Sequence, residues 1–401
     1  MPWIISTTLT VFVPLILLYW YTGSKIANSL TIRTGWGKKK ARKIVWSLVA
    51  YVNAFPVLFL IVFLLSGRSR LPAFTGENFI IDLLFAYPFW FGLVITVQLS
   101  LLFLLTEIPK FVLWSIYRRQ KEQWLGRQSY VVLTMAALIA VYSITVIVLN
   151  TWTITVHERE FRLPGESAGL DGLTVVHISD VQGDGRTSPS ILRGYVRRIN
   201  ELKPDLVLFA GDLVTSGEDY IESSADILGV IEARYAKIAA VGDHDIFSDK
   251  NQVLAALRRN GFLIDDDTTI TVKVDTTRIS VTLLTHTYRQ RPDLNDLERA
   301  KQGADGDLKI FLVHQPAEAL IRFAGDNGYD LFMAGHTHGG GVAFGIPGIF
   351  LLSPARLESP FVSGFYEVGS MLVSVTNGIG MTLAPIRFHA QSEISVVKLV
   401  R

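Results

Sequence analysis

The sequence predicts a two-part molecule: an N-terminal α-helical transmembrane region of four spans, followed by an α/β domain. Three observations carry this. Four long apolar runs occupy Met1–Asn150. After them, short β-branched runs alternate with stretches of helical periodicity. The charge also changes sign along the chain. Met1–Asn150 holds 14 Lys and Arg against 4 Asp and Glu, and the remainder holds 24 against 32, although the 401 residues together net only +2. With 49% hydrophobic residues and a mean hydropathy of +0.34, part of the chain belongs in lipid.

A helix needs roughly 20 apolar residues to cross the hydrocarbon core. The runs are Trp3–Tyr21, Ile44–Leu65, Phe79–Leu105 and Tyr130–Asn150, and none has a charge at its centre. Trp3, Trp20, Trp46, Tyr87, Trp114 and Tyr130 fall near their ends, where amphipathic rings favour the interface. The first run has no basic lead and no small-residue cleavage site after it, so it reads as a span and not as a signal peptide. Orientation follows from Lys and Arg. The first connector carries Lys25, Arg33, Lys38, Lys39, Lys40, Arg42 and Lys43, and the third carries Lys110, Arg118, Arg119, Lys121 and Arg127, whereas the second has Arg68 and Arg70 alone. Basic loops stay cytoplasmic. The expectation is a multi-pass protein of the plasma or inner membrane with everything after Asn150 outside the cytoplasm. Asn53, Pro56 and Gln98 are the polar or kinking residues within the spans, which favours anchoring over transport.

Thr151–Leu170 reads as a linker, and residues 171–401 as the second domain. Leu173–Ser179 is a strand. Ser188 and Pro189 open a helix that Lys203-Pro204-Asp205 ends. Strand Asp205–Ala210, helix Ile221–Arg234, strand Ala236–Val241 and helix Gln252–Asn260 follow. Strands are expected at Ile270–Val274, Ile279–Leu284, Lys309–Val313 and Leu331–Ala334, with a helix over Pro316–Gly325. The tail adds strands at Met371–Val375 and Glu393–Leu399. The alternation implies a largely parallel central sheet.

In open α/β sheets ligands bind beyond the carboxyl ends of the strands. Those ends carry Asp180-Val-Gln182, Gly211-Asp212, Gly242-Asp243-His244-Asp245, His314 and Gly335-His336-Thr337-His338-Gly339-Gly340. Four of the eight histidines are among them. Each group is weak evidence alone, but five polar groups at five strand ends point to a metal site. Carboxylate and imidazole together suit divalent Mn, Fe or Zn. The chain has no cysteine, which excludes disulfides and thiolate chemistry. The acidic second half argues against nucleic-acid binding.

The order and spacing of these groups resembles the calcineurin-like metallophosphoesterase superfamily, with its Asp-x-His, Gly-Asp, Gly-Asn-His-Asp/Glu, lone His and Gly-His-x-His. The resemblance runs from about Leu173 to the C-terminus and is closest to the membrane-bound branch with several N-terminal transmembrane helices. It implies a two-sheet β-sandwich flanked by helices and a metal-dependent phosphoesterase; the expected ester is an amphiphilic or lipid-linked phosphodiester, which makes a phosphodiesterase the expected activity. By the same resemblance Asp180, Gln182 and His338 hold the first metal, Asp212 bridges both, and Asp243, His314 and His336 hold the second. His244 then faces the phosphate and assists the leaving oxygen, with Asp245 orienting it. The implied chemistry is attack on phosphorus by a hydroxide shared between two divalent ions.

Two positions depart from the pattern. Gln182 stands for the usual His, which favours Mn²⁺ or Mg²⁺ over Zn²⁺ at the first position. Asp243 stands for the usual Asn and adds negative charge. Mn is therefore the expected metal, with Fe, Mg and Zn as alternatives. Arg186, on the loop after the first motif, is a candidate phosphate contact. His177 reads as a core residue, and His157, His286 and His389 as structural. The apolar run Val342–Leu352 suits either a core strand or a slot for lipid tails. The expected partners are membrane lipids and a phosphoester, lipid-linked in one reading. The competing readings are a catalytically silent metal-binding membrane scaffold or receptor, and a transporter or sensor that uses the spans.

Overall fold

The structure is a computed structural model. It describes residues 3–66, 78–163, 168–265, 267–346, 349–381 and 384–401, without the side chains of residues 3–11, 13, 63, 66, 168 and 350. The chain divides into two compact units, Met1–Val148 and Leu149–Arg401.

The first unit is helical. Among the described residues two helices are long and apolar enough to cross a membrane, Phe79–Val112 and Lys121–Trp152. A third crossing arises if Lys38–Val52 and Ala54–Val62, bent by 40° at their junction, count as one. The expected four spans are therefore corrected to two, or three with the bent pair. The second expected span breaks at Asn53, whose side-chain amide bonds back to the carbonyl of Val49, three residues before Pro56. The first lies in the helix Trp3–Thr34, but the side chains that make it apolar, Trp3 included, fall largely outside the described residues. So do Arg68 and Arg70 of the second connector. Leu101, Leu105, Leu138 and Val141 are exposed, as lipid-facing side chains are. Gln98 donates to Ser143 Oγ at 2.8 Å and so ties the two long helices together. Glu107 pairs with Lys25 and with Lys110 and accepts from Gln128, a polar knot joining three helices.

Among the described residues the second unit holds fourteen strands. They are β1 (Ile154–Arg162), β2 (Thr174–Ile178), β3 (Leu206–Phe209), β4 (Ala236–Ala239), β5 (Phe262–Leu263), β6 (Thr268–Val274), β7 (Thr277–Leu284), β8 (Leu308–Val313), β9 (Leu331–Ala334), β10 (Phe344–Ile346), β11 (Phe350–Leu352), β12 (Gly364–Val368), β13 (Met371–Val375) and β14 (Ser392–Val400). One six-stranded sheet runs β1-β14-β2-β3-β4-β5 and the other β12-β13-β9-β8-β7-β6, with β10-β11 as a separate hairpin. Both sheets are mixed. The neighbours β2-β3-β4 and β7-β8-β9-β13 are parallel, and β14-β2, β6-β7 and β12-β13 are antiparallel.

The period of two along each strand builds the layers. Val175, Leu206, Leu208 and Ile238 of one sheet meet Val281, Ile310, Leu312 and Met333 of the other in the inter-sheet core. The alternate residues Val176, Ile178, Val207 and Phe209 pack instead under the helices Pro189–Glu201, Ile221–Gly229 and Lys250–Arg259. Phe311, Val313 and Phe332 do the same on the far face, under Leu294–Gly303 and Glu318–Asp326. The result is helix, sheet, sheet, helix.

Three expectations change. Part of the stretch read as a linker, Thr151–Leu170, is β1, a nine-residue strand paired in parallel with β14. It is an edge strand, and four successive exposed residues from His157 to Glu160 erase the alternation that marks a strand. The helix expected over Ile221–Arg234 stops at Gly229. A helix at Leu294–Gly303 is new, although Asp293 and Asp296 cap it reciprocally with bonds of 2.9 and 2.8 Å.

His177 lies in the inter-sheet core as expected, its Nδ1 2.9 Å from Ser374 Oγ of the opposite sheet. Burial presses its pKa down to about 3. The unfolded chain, with an ordinary histidine pKa near 6.5, therefore binds more protons than the folded one at mildly acid pH. Stability is lost as pH falls below about 6.5 and continues to fall toward 3. The metal-free second unit should lose about 3 kcal/mol more between pH 7 and pH 4 than its His177→Gln variant, as read by urea unfolding.

Candidate metal centre

β2, β3 and β4 are adjacent parallel strands of one sheet, and β8 and β9 are adjacent in the other. Their carboxyl ends bring five loops to one edge of the sandwich. The turns are tight. Asp180, Gln182, Asp212, His336 and His338 all have positive φ, between 47° and 71°. Such conformations strain non-glycine residues and cluster where function holds them. Gly211, at φ +90°, lies so close to Gly242 that a Cβ would come 2.8 Å from its Cα. The Asp212 and Asp243 turns can approach in this way only because both carry glycine.

Asp212 sits between two clusters. On one side its Oδ2 is 3.3 Å from His314 Nε2, and His314 Nε2 is 3.5 Å from Asp243 Oδ2. Asp243 Oδ2 is also 3.0 Å from His336 Nδ1. On the other side Asp212 Oδ2 is 3.4 Å from Gln182 Nε2, which is 3.2 Å from His338 Nε2. His338 Nε2 lies 3.4 Å from Asp180 Oδ1. His314 Nδ1 donates to the carbonyl of Ala210 at 2.7 Å, which leaves Nε2 as the lone pair facing the carboxylates. All seven expected ligands thus come together around Asp212.

The charges explain the titration behaviour. Burial opposes a proton on His314, yet Asp212, then Asp180 and Asp243, lift its pKa well above the usual value. Burial likewise opposes a proton on His336, but Asp243 and Glu358 raise it to about 9. Burial also disfavours the charged form of Asp212, and His314 and His244 outweigh it, holding the carboxyl below its usual range. His338, where burial prevails, falls to about 4. Three buried carboxylates therefore demand positive charge, and divalent cations satisfy that demand.

The donor atoms fit such ions. Among the described residues Asp180 Oδ1, Gln182 Oε1 and His314 Nε2 are buried without a hydrogen-bond partner. Leaving such atoms unpaired is costly, and cations remove the cost. Two groups, Asp243-His314-His336 and Asp180-Asp212-His314, have donor atoms within 4.8 Å of one another. His314 belongs to both, in keeping with its place beside Asp212.

Asp245 is corrected. It does not orient the His244 ring, whose Nδ1 is bonded to the carbonyl of Thr215. Its carboxylate turns inward and accepts from the backbone N–H of Asp212, Leu213 and Gly242 at 2.9, 2.8 and 2.8 Å. It fixes the two turns, since a helix start and a strand end leave those N–H groups unpaired. Burial, then the charge of Asp212, push Asp245 up to about 6. The backbone N–H of His244 donates to Asp212 Oδ1 at 2.8 Å. Arg186 is half-buried in the turn after Gln182, its N–H bonded to Asp184 Oδ1 at 2.7 Å.

Four residues that contact the expected ligands carried no motif. Gln315 Nε2 donates to Asp243 Oδ2 at 2.8 Å. Tyr288 and Glu358 contact Asp243 and His336. Arg387, 1% exposed, donates to the carbonyls of Asn377, Gly380 and Ala390 at 2.8, 2.6 and 3.0 Å. Its Nη2 lies 3.5 Å from His338 Nδ1, and burial lowers its pKa to about 10. A lone arginine in the tail gives no sequence signal for this. Gln315 alone was findable, as the polar neighbour of His314.

A family profile described as "Calcineurin-like phosphoesterase" matches residues 173–340. The chain is 31% identical over 236 residues to the metallophosphoesterase YkuE of Bacillus subtilis (strain 168), covering 58% of this chain and 80% of that protein. It is 28% identical to a transmembrane protein with metallophosphoesterase domain from Danio rerio, covering 68% of this chain and 63% of that one, less than two thirds of its length. Over 89 residues it is 33% identical to the UDP-2,3-diacylglucosamine pyrophosphatase LpxG of Chlamydia muridarum (strain MoPn / Nigg), 21% of this chain and 26% of that one.

Asp245→Asn offers three N–H donors an amide with a single acceptor oxygen. It should cost the second unit about 1–3 kcal/mol of stability and weaken metal binding together. Calorimetric melting and a Mn²⁺ titration check this. A variant with normal stability and metal affinity but slow turnover would return Asp245 to the role of orienting His244.

Proposed function

The chain belongs to the calcineurin-like phosphoesterase family, and from that premise we propose a membrane-anchored phosphodiesterase with a Mn-preferring two-metal centre facing away from the cytoplasm. The family membership makes it a metal-dependent phosphoester hydrolase. The observation that carries the finer reading is the pair of donor clusters on either side of Asp212. Asp180, Gln182 and His338 would hold one ion, Asp243, His314 and His336 the other, and Asp212 both. The amide of Gln182 and the carboxylate of Asp243 both offer oxygen, which favours Mn²⁺ over softer ions. Bound there, the ions supply Lewis acidity at the phosphoryl oxygens and an activated water as nucleophile.

The chain's own residues do the rest. His244 is half-buried and donates its Nδ1–H to the carbonyl of Thr215, which leaves Nε2 to carry the second proton of the imidazolium; that proton would pass to the departing oxygen and leave the ring neutral. Its backbone N–H on Asp212 keeps the ring and the bridging carboxylate in one frame. Arg186 is proposed to contact a non-bridging phosphate oxygen.

The basic first and third connectors support a multi-pass arrangement with residues 151–401 outside the cytoplasm. A lipid-linked substrate is supported by the segment that follows the His-x-His motif. There β10 and β11 pair as an antiparallel hairpin, and Ile346, Ile349, Leu352 and Leu357 are 53%, 75%, 62% and 91% exposed. An apolar patch beside a phosphoester site suits an amphiphilic substrate. The pyrophosphatase LpxG, similar over part of the chain, is named for a diacylated substrate.

The test compares bis(p-nitrophenyl) phosphate with p-nitrophenyl phosphate, using full-length protein in lipid with Mn²⁺, Mg²⁺ or Zn²⁺. Turnover should depend on metal, be fastest with Mn²⁺ on the diester, vanish in Asp212→Asn and fall roughly 100-fold or more in His244→Ala. Bound metal without turnover would favour the silent scaffold. Equal rates on soluble and vesicle-borne esters, with residues 149–401 alone, would remove the lipid reading.

A further inference from the structure

Asp243 and His336 are held from outside by two residues that the two-metal arrangement does not use. Tyr288, on the loop after β7, donates its backbone N–H to Asp243 Oδ1 at 2.7 Å and its hydroxyl to Glu358 Oε2 at 2.7 Å. Glu358, in the turn after β11, lies 3.0 Å from His336 Nε2. His336 Nδ1 closes the circuit at 3.0 Å from Asp243 Oδ2. The Tyr288 ring stands over the His336 ring, 5.4 Å between centroids and inclined at 66°. Four segments distant in sequence thus meet in one closed ring of contacts.

We propose that Tyr288 and Glu358 are positioning residues that set the geometry of the second metal position by gripping Asp243 and His336. The imidazole has two nitrogens, and its environment decides which one carries the proton. A carboxylate at Nε2 accepts a hydrogen bond from the Nε2–H and leaves the Nδ1 lone pair facing Asp243 and His314, the arrangement in which an outer carboxylate tunes a metal-bound histidine. The same grip accounts for an aspartate at 243. Its Oδ1 meets the N–H of Tyr288 and its Oδ2 meets the amide of Gln315 at 2.8 Å, so both oxygens face donors. An asparagine would set its own NH₂ against one of them. Glu358 is half-exposed, 51%, so its ion pair adds little to stability and its effect is one of orientation.

The inference rests on the two-metal reading, and its test measures binding, so it survives or falls independently of turnover. Full-length protein in detergent is titrated with Mn²⁺ by calorimetry, with bound ions counted by electron paramagnetic resonance. Wild type should bind two ions. Glu358→Ala should weaken one of them about 10–100-fold and leave the other unchanged. Glu358→Gln keeps an acceptor oxygen and should restore affinity to within about threefold, and Tyr288→Phe, which keeps the N–H, should lose about threefold at the same position. Glu367→Ala, which removes an exposed carboxylate paired with Arg159, should change neither. Unchanged affinities in Glu358→Ala, equal weakening of both ions, or fewer than two ions in wild type would each overturn the proposal.

Discussion

Asp212 carries negative charge into a place where water cannot screen it, and the edge of the two sheets is arranged around that charge. Its backbone N–H is fixed by Asp245, its Oδ1 accepts from His244, and its Oδ2 faces His314 on one side and Gln182 on the other. Left alone, a buried carboxylate would take up a proton. Here the imidazoles hold it ionised, and the same geometry suits a divalent ion on either side. Positive φ values at five of the seven expected ligands go with a fold that gives up local backbone comfort where these donors turn inward.

The two departures from the family pattern are absorbed by this arrangement. Gln182 sits with its amide nitrogen between Asp212 and His338, and turning the amide would present its oxygen to the same space. Asp243 finds donors at both oxygens. Gln182 places an amide where the pattern has an imidazole, and Asp243 adds charge at a position whose side chain offers oxygen in either case.

Much of the site was legible because it lies at the ends of strands, where apolar runs give way abruptly to Asp, His and Gly. The core strands were legible for the same reason: β3 and β9 are short, continuous and apolar, and β8 is so apart from Lys309. What stayed hidden depends on distance through the chain. β1 is exposed and pairs with the C-terminal strand β14, so neither its pattern nor its neighbour marks it. Arg387, Tyr288 and Glu358 work through contacts with residues dozens of positions away. Asp245 was found, but its direction was not, since the motif places it beside His244 while the helix start turns its carboxylate inward. The second expected span was read as one continuous crossing because hydropathy does not see the break at Asn53.

The central claim is that two divalent ions flank Asp212. Crystals of the protein grown with Mn²⁺ and measured above and below the manganese absorption edge test it most directly. Two anomalous peaks are predicted, one among Asp180, Gln182 and His338 and one among Asp243, His314 and His336, with Asp212 touching both. A single peak, or none at Asp212, would contradict the account.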